Sequence, residues 1–181
     1  MTDGTALREI AAEILTEILE KGQYTHLALF QALSKYQYLE KSDRSFLKRI
    51  VDGTVEYKIQ IDYIINAYSK TKVHKMKPFI RTLLRMSVYQ IYYMDRVPDS
   101  AACNEAVRLA KKRGFSGLSG FVNGVLRSVA RGKSKLTFPD DSVRYSMPDW
   151  ILSLWKENYG AEMTHRMEQA GLEKRPFMVG F

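Results

Sequence analysis

Apolar residues recur along this chain at three- and four-residue steps, the spacing of one face of an α-helix. Leu7, Ile10, Ala11, Ile14 and Ile18 form one such stripe, which predicts a helix from about Thr5 to Lys21, ended by Gly22. A second helix is expected from about Tyr24 to Tyr36, with Leu27, Phe30 and either Leu33 or Leu29 turned inward. Ser42 offers a cap oxygen to a long segment from Asp43 to Ser69. Its apolar positions are Phe46, Leu47, Ile50, Val51, Val55, Ile61, Ile64, Ile65 and Tyr68. Gly53 and the β-branched residues after it predict a break or kink near Tyr57 to Gln60.

Pro78 suits a first helical turn, where its missing N–H would have no intrahelical partner anyway. The helix it opens is apolar on nearly every side (Phe79, Ile80, Leu83, Leu84, Met86, Tyr89, Ile91), so it is expected to be the central, most buried one. Asp95-Arg96-Val97-Pro98-Asp99 is a stop and restart, with Asp99 or Ser100 as the next cap. Two helices follow, about Ser100–Arg113 and Gly117–Arg131. The glycines between them are spaced G-x-x-G-x-x-G with no strand before them, which reads as a helix–helix turn and not a dinucleotide loop.

Residues 132–143 read as a linker, and Ser146-Met147-Pro148-Asp149 as a capping box. The helix it opens carries Trp150, Ile151, Leu154 and Trp155 and is broken by Gly160. A last helix over about Ala161 to Ala170 and a strand beginning at Pro176-Phe177-Met178-Val179 complete the pattern. The fold class is therefore all-α: a bundle of about seven helices up to Arg131, then a short helical linker region.

Composition narrows the class. The chain has 181 residues, 45% apolar and 27% charged, enough to bury a core and unlike a disordered tail. The most apolar stretch, Leu83 to Met94, is interrupted by Arg85 and Gln90, so no membrane span is expected. The Met-Thr-Asp-Gly start, followed by glutamates, does not read as a signal peptide. A single cysteine, Cys103, offers no disulfide framework and fits a reducing, cytoplasmic setting.

The formal net charge is +8, unevenly spread: residues 41–135 net +13, whereas residues 1–40 net −3 and 136–181 net −2. A basic middle between acidic ends suggests a surface for a polyanion. Candidate contacts are Lys72, Lys75, Lys77 and Arg81 around the start of the central helix, Lys111, Lys112 and Arg113 at the end of the sixth, and Arg127, Arg131, Lys133 and Lys135 at the end of the seventh. Each cluster alone is explained by compensation of a helix dipole. Together they exceed what compensation requires, and they are expected to gather into one phosphate-tracking patch. Arg85, on a buried helix, is as well suited to a structural hydrogen bond. Glu9, Glu13 and Glu17 make an acidic stripe that is either solvated or faces cations elsewhere. Of the eleven tyrosines most fall on helical stripes and read as core; Tyr24, Tyr36 and Tyr38 are freer.

Catalytic chemistry does not assemble. His26, His74 and His165 stand in separate segments without metal-ligand spacing, and Cys103 has no basic neighbour in sequence. Neither a catalytic residue nor a metal site is expected.

The segment from Val97 through Pro98-Asp99-Ser100-Ala101-Ala102-Cys103-Asn104-Glu105-Ala106-Val107-Arg108-Leu109-Ala110 to Lys112, followed by Gly120-Phe121-Val122-Asn123-Gly124-Val125-Leu126-Arg127, resembles the signature of NusB-type domains. The preceding Arg81-Thr82-Leu83-Leu84-Arg85-Met86-Ser87-Val88-Tyr89-Gln90 is similar to the same pattern. The resemblance implies an all-helical bundle of about seven helices, with Asn104, Glu105, Asn123 and Gly124 as structural residues packing the sixth and seventh. The two asparagines would satisfy buried groups, and Gly124 would permit close approach.

Tyr145-Ser146-Met147-Pro148-Asp149-Trp150, Tyr159-Gly160 and Arg175-Pro176 further resemble the Sun/Fmu (RsmB) branch of 16S rRNA cytosine-5 methyltransferases. That resemblance implies a NusB-like RNA-binding domain over residues 1–135 and a helical linker over 136–181, leading to a methyltransferase domain outside the chain. S-adenosylmethionine is then expected only in that domain, so no cofactor is expected here. The implied partners are RNA, specifically 16S rRNA, and the chain's own methyltransferase domain, with a homodimer of the isolated piece as a further expectation. Two other readings stand beside it: a stand-alone antitermination factor pairing with ribosomal protein S10, and a protein-docking bundle without an RNA role. Arg8 alone among glutamates departs from the arginine-rich N-terminal region of antitermination NusB proteins.

Overall fold

A computed structural model describes the backbone of residues 3–159 and the side chains of residues 3–154. Nine α-helices are described: α1 (Gly4–Leu19), α2 (Thr25–Lys35), α3 (Lys41–Glu56), α4 (Lys58–Tyr68), α5 (Pro78–Tyr93), α6 (Asp99–Lys112), α7 (Ser119–Gly132), α8 (Asp141–Arg144) and α9 (Asp149–Tyr159). Short 3-10 turns at Val73–Lys75 and Ser116–Leu118 precede α5 and α7. The expected break in the long third segment falls at Tyr57, so seven helices do precede residue 133. The expected helix over 161–170, the break at Gly160, the strand at Pro176–Val179 and the Trp155 side chain lie outside the described residues.

The architecture is a ring around one helix. α5 touches α1, α3, α4, α6 and α7, and those five contact one another in the circular order α1, α6, α7, α4, α3. α2 lies outside, against α1 and α3. A helix enclosed on all sides must be apolar all round, and Ile80 and every residue from Thr82 to Ile91 are buried. Two of those residues are polar and partnered: Arg85 and Gln90 bond to groups on α4 and α1. Gly53 on α3 faces the Tyr89 ring at contact distance, and Gly132 faces Tyr68 in the same way. These are the close approaches that need a missing Cβ. Gly124, expected to serve that purpose, has nothing within 4 Å of a Cβ position, so it does not mediate packing.

Three local expectations are corrected. α3 is capped by a reciprocal pair of Glu40 and Asp43, not by Ser42, which sits within its first turn. Pro98, not Asp99 or Ser100, occupies the N-cap of α6. On α2 Leu29 is buried and Leu33 packs against the core as expected, but Phe30 is 68% exposed and Leu27 faces solvent, with Ala28 turned inward in their place.

The segment after α7 is not a free linker along its described length. Phe138 packs edge-on against Tyr63, and α8 lies on α4. Ser146, with φ 54°, does not form a capping box for α9. Its Oγ accepts from the backbone N–H groups of Ile59 and Gln60 at 3.1 and 3.4 Å, capping α4 from outside. The Gln60 amide donates to the Arg144 carbonyl at 2.8 Å and accepts from Tyr93 Oη. Tyr145, Met147 and Leu152 form a small second apolar cluster beyond this clamp.

Candidate nucleic-acid interface

The basic residues of the middle segment divide by what their side chains touch. Arg81, expected among the phosphate contacts, and Arg85 both turn to carboxylates. Arg81 grips Glu20 with Nε at 2.8 Å and with Nη2, while its Nη1 donates to the Met76 carbonyl at 3.2 Å. Arg85, nearly buried, pairs with Asp62 at 2.8 and 3.0 Å. Hydrogen bonding to Arg81 holds the Glu20 carboxyl below its ordinary pKa. These two guanidiniums join α1, α4 and α5 and line an open cleft of about 470 Å³ together with Lys58, Asn66 and His74.

The end of α6 meets the acidic stripe of α1. Lys112 Nζ is 2.7 Å from Glu9, and Arg113 reaches Glu9 at 3.3 Å and Glu13 at 3.9 Å. The stripe is thus partly a partner for cations, and the hydrogen bond from Lys112 lowers the Glu9 pKa. Arg113 also lies over the Phe79 ring, 4.9 Å from its centroid, and Phe79 stacks on Phe115 at 5.7 Å. That aromatic pair joins the end of α6 to the start of α5.

At the end of α7, Lys133 donates to the Ile91 carbonyl at 3.2 Å and approaches Asp99 at 3.5 Å, compensating the α5 terminus and not its own. Arg131 reaches Ser128. Arg127 is held by two asparagines, Asn123 at 3.1 Å and Asn104 at 2.8 Å. The asparagines therefore position a surface guanidinium between α6 and α7, and do not satisfy buried groups as expected; Asn104 itself is exposed. Glu105 accepts from Thr5 Oγ1 and pairs with Arg108, tying α6 to α1.

Lys72, Lys75, Lys77, Lys111 and Lys135, together with Lys70, are exposed and have no partner among the described residues. The clusters do not converge on one point. Lys133 lies at the α6 start and Lys112 at its end, and 14 residues of helix span about 20 Å. The segment carrying Lys70 to Lys77 connects the two regions. Tyr68 Oη donates to the Gly132 carbonyl at 3.2 Å, placing Lys70 beside the α7 end. Val73 N–H donates to Asn66, and Arg81 holds the Met76 carbonyl, so the segment is fastened along its length. At its far end Lys77 caps α5 two residues before Phe79, beside the α6 end. The cations are thus arranged as a tract, which sequence spacing did not reveal because Tyr68–Gly132 and Phe79–Phe115 are tertiary contacts.

Cys103 is buried and its thiol is pushed up by desolvation. Among the described residues no three His, Cys, Asp or Glu side chains converge as a metal site, and no helix is long and apolar enough to cross a membrane.

Comparison with known proteins agrees with this architecture. The model of the NusB family matches residues 5–131. The "Probable ribosomal RNA small subunit methyltransferase B" of Bacillus subtilis (strain 168) is 37% identical over 169 residues, covering 90% of this chain and 37% of that protein. The transcription antitermination protein NusB of Symbiobacterium thermophilum is 35% identical over 144 residues, covering 75% of this chain and 94% of that protein. A chain in the crystal structure of antitermination factors NusB and NusE in complex with double-stranded RNA superposes with a TM-score of 0.65 at 21% identity, covering 71% of this chain and 96% of that one. This chain spans little more than a third of the length of the methyltransferase relative. A helical bundle wrapped around α5 and a family match over all seven of its helices lead to one conclusion: the chain belongs to the NusB family.

Proposed function

We propose that this chain is the RNA-binding, non-catalytic N-terminal domain of an S-adenosylmethionine-dependent rRNA (cytosine-5-)-methyltransferase, presenting 16S rRNA to a catalytic domain carried by the rest of the whole protein. The observation that carries the RNA part is the tract of unpartnered lysines, Lys70, Lys72, Lys75 and Lys77, running between the basic ends of α6 and α7. Cations left without carboxylates keep their charge for phosphates, and each phosphate neutralised releases counterions. The methyltransferase part is supported by the reach of the similarity. It extends over 169 residues against the methyltransferase and 144 against the antitermination protein. The docking of residues 138–147 onto α4 supports the same reading, because it fixes the exit direction of the chain relative to the lysine tract.

The test is fluorescence anisotropy with a 16S rRNA fragment across a salt series. Neutralising about four phosphates gives a slope of log K against log salt near −3. A flat response removes RNA from the account. Purified ribosomal protein S10 should form no complex with the chain; a stable complex instead favours the antitermination reading, which the near-complete coverage of the Symbiobacterium relative keeps as the second one. Titration with S-adenosylmethionine should show no saturable binding.

A further inference from the structure

Lys72, Lys75 and Lys77 stand on a segment with little structure of its own. Its helical part is one 3-10 turn, Val73–Lys75. The turn is closed by the Lys75 N–H on the Lys72 carbonyl at 2.9 Å and the Met76 N–H on the Val73 carbonyl at 3.0 Å. Hydrogen bonds of a 3-10 helix are poorer than those of an α-helix, so a single turn does not hold itself. Its period of three residues puts Val73 and Met76 on one edge, where both are buried, and Lys72 and Lys75 on another, where both are exposed. Tertiary contacts therefore keep the turn in place. They are the two apolar side chains, Asn66 on the Val73 N–H at 2.9 Å, and Arg81. Arg81 Nη1 donates to the carbonyls of His74 at 3.5 Å and Met76 at 3.2 Å, which flank Lys75.

The other edge of that guanidinium is fixed by Glu20. Arg81 Nε donates to Glu20 Oε2 at 2.8 Å and Nη2 pairs with Oε1, a planar two-bond grip that sets the guanidinium orientation. The two side chains are only 20% and 15% exposed, so solvent screens the pair little. Glu20 also lies 3.7 Å from Arg85, which Asp62 anchors at 2.8 Å. The row Asp62, Arg85, Glu20, Arg81 thus runs from α4 across α5 and α1 to the backbone of the turn. We propose that Glu20 is a positioning residue for the lysine tract. By holding Arg81 on the His74 and Met76 carbonyls it fixes Lys75 and Lys77 in place, so a carboxylate raises the affinity of a polyanion it never touches. This inference rests on the RNA-binding reading above and adds an acidic residue that acts on that surface through another side chain. Charge counting alone gives the opposite sign, because removing a negative group beside cations favours a polyanion.

Two variants break the grip in different ways. Glu20→Gln keeps the side-chain size but turns an amide N–H toward one of the Arg81 donors. Arg81→Lys keeps the charge and loses the fork. Without RNA, hydrogen exchange at the Val73, Lys75 and Met76 amides should quicken about tenfold in both, while α7 amides keep wild-type protection. Binding of the 16S rRNA fragment is then measured by anisotropy across a salt series, at a temperature where every variant is folded. Affinity should fall about fivefold and the slope of log K against log salt should become shallower by about 1, the share of one phosphate contact. Lost stability alone leaves that slope unchanged. Glu17→Gln makes the same change in net charge at an exposed carboxylate of the same helix, and should bind at least as tightly as wild type. If the wild-type chain binds no RNA, the RNA-binding reading fails and this inference with it. With wild-type binding intact, unchanged exchange in the tract overturns the inference alone. So does a Glu20→Gln chain that binds as tightly as wild type or more tightly, or one whose affinity falls at an unchanged slope.

Discussion

Gly53 and Gly124 both sit inside helices, and the space around them separates their roles. A Cβ at Gly53 would run into the Tyr89 ring, whereas one at Gly124 meets nothing within 4 Å. Gly53→Ala therefore overpacks the contact between α3 and α5, with an expected loss of about 1–3 kcal/mol. Gly124→Ala removes only backbone freedom from an exposed helical position and should stabilise by about 0.5–1 kcal/mol. Chemical denaturation of the two variants checks both signs. Sequence motif alone pointed to Gly124 as the packing residue. The collision at Gly53 is invisible to it, because Tyr89 lies on another helix.

Glu20 carries a prediction of its own. Its hydrogen bond from Arg81 lowers its folded pKa below an ordinary value of 4.5, and Lys112 does the same for Glu9. A carboxyl depressed on folding contributes stability above its unfolded pKa and loses it as pH falls through the folded value. The melting temperature should thus drop steeply below about pH 4.5, with Glu20→Gln flattening that part of the curve. A variant with the wild-type profile would leave the Arg81 pair without a share in stability.

At the scale of elements, α4 shows what periodicity reads and what it misses. The break at Tyr57 follows from Gly53 and the residues after it, and the apolar stripe Ile61, Ile64, Ile65 is buried as spaced. The cap of the helix is not local. Ser146, 86 residues after Gln60, supplies its oxygen to the first turn, held at φ 54° to do so. Removing an N-cap hydroxyl costs about 1 kcal/mol. Ser146→Ala should lose that amount and expose the Ile59 and Gln60 amides to faster hydrogen exchange, without touching amides of α1 or α6. Protection unchanged at Ile59 and Gln60 would mean that the clamp does not persist in solution. The exposure of Leu27 and Phe30 on α2 has a related cause. Its apolar residues, Leu27, Ala28, Leu29, Phe30 and Leu33, fit more than one stripe, and only the packing of α1 and α3 selects Ala28 and Leu29.

The described bundle is organised by α5, whose all-round apolar sequence predicts a central position. Helix number, order and approximate limits were equally legible, because each helix repeats its burial pattern over several turns. The distribution of charge was legible only as a sum. The cations of residues 41–135 are partly paired with Glu9, Glu20, Asp62 and Asp99, and tertiary contacts decide which of them remain. Among the described residues, Lys70, Lys72, Lys75, Lys77, Lys111 and Lys135 remain exposed without a partner, as do Lys41 and Arg96 elsewhere on the surface.

On the proposed reading, RNA affinity depends on the charge of one tract. The measurement that tests it most directly is the salt dependence of 16S rRNA fragment binding for the wild-type chain and for a variant with Lys72, Lys75 and Lys77 all changed to Ala. Removing three phosphate contacts should make the slope of log K against log salt shallower by about 2 to 3 and weaken binding at low salt. A variant that keeps both the wild-type slope and the wild-type affinity contradicts the assignment of this tract as the RNA-binding surface.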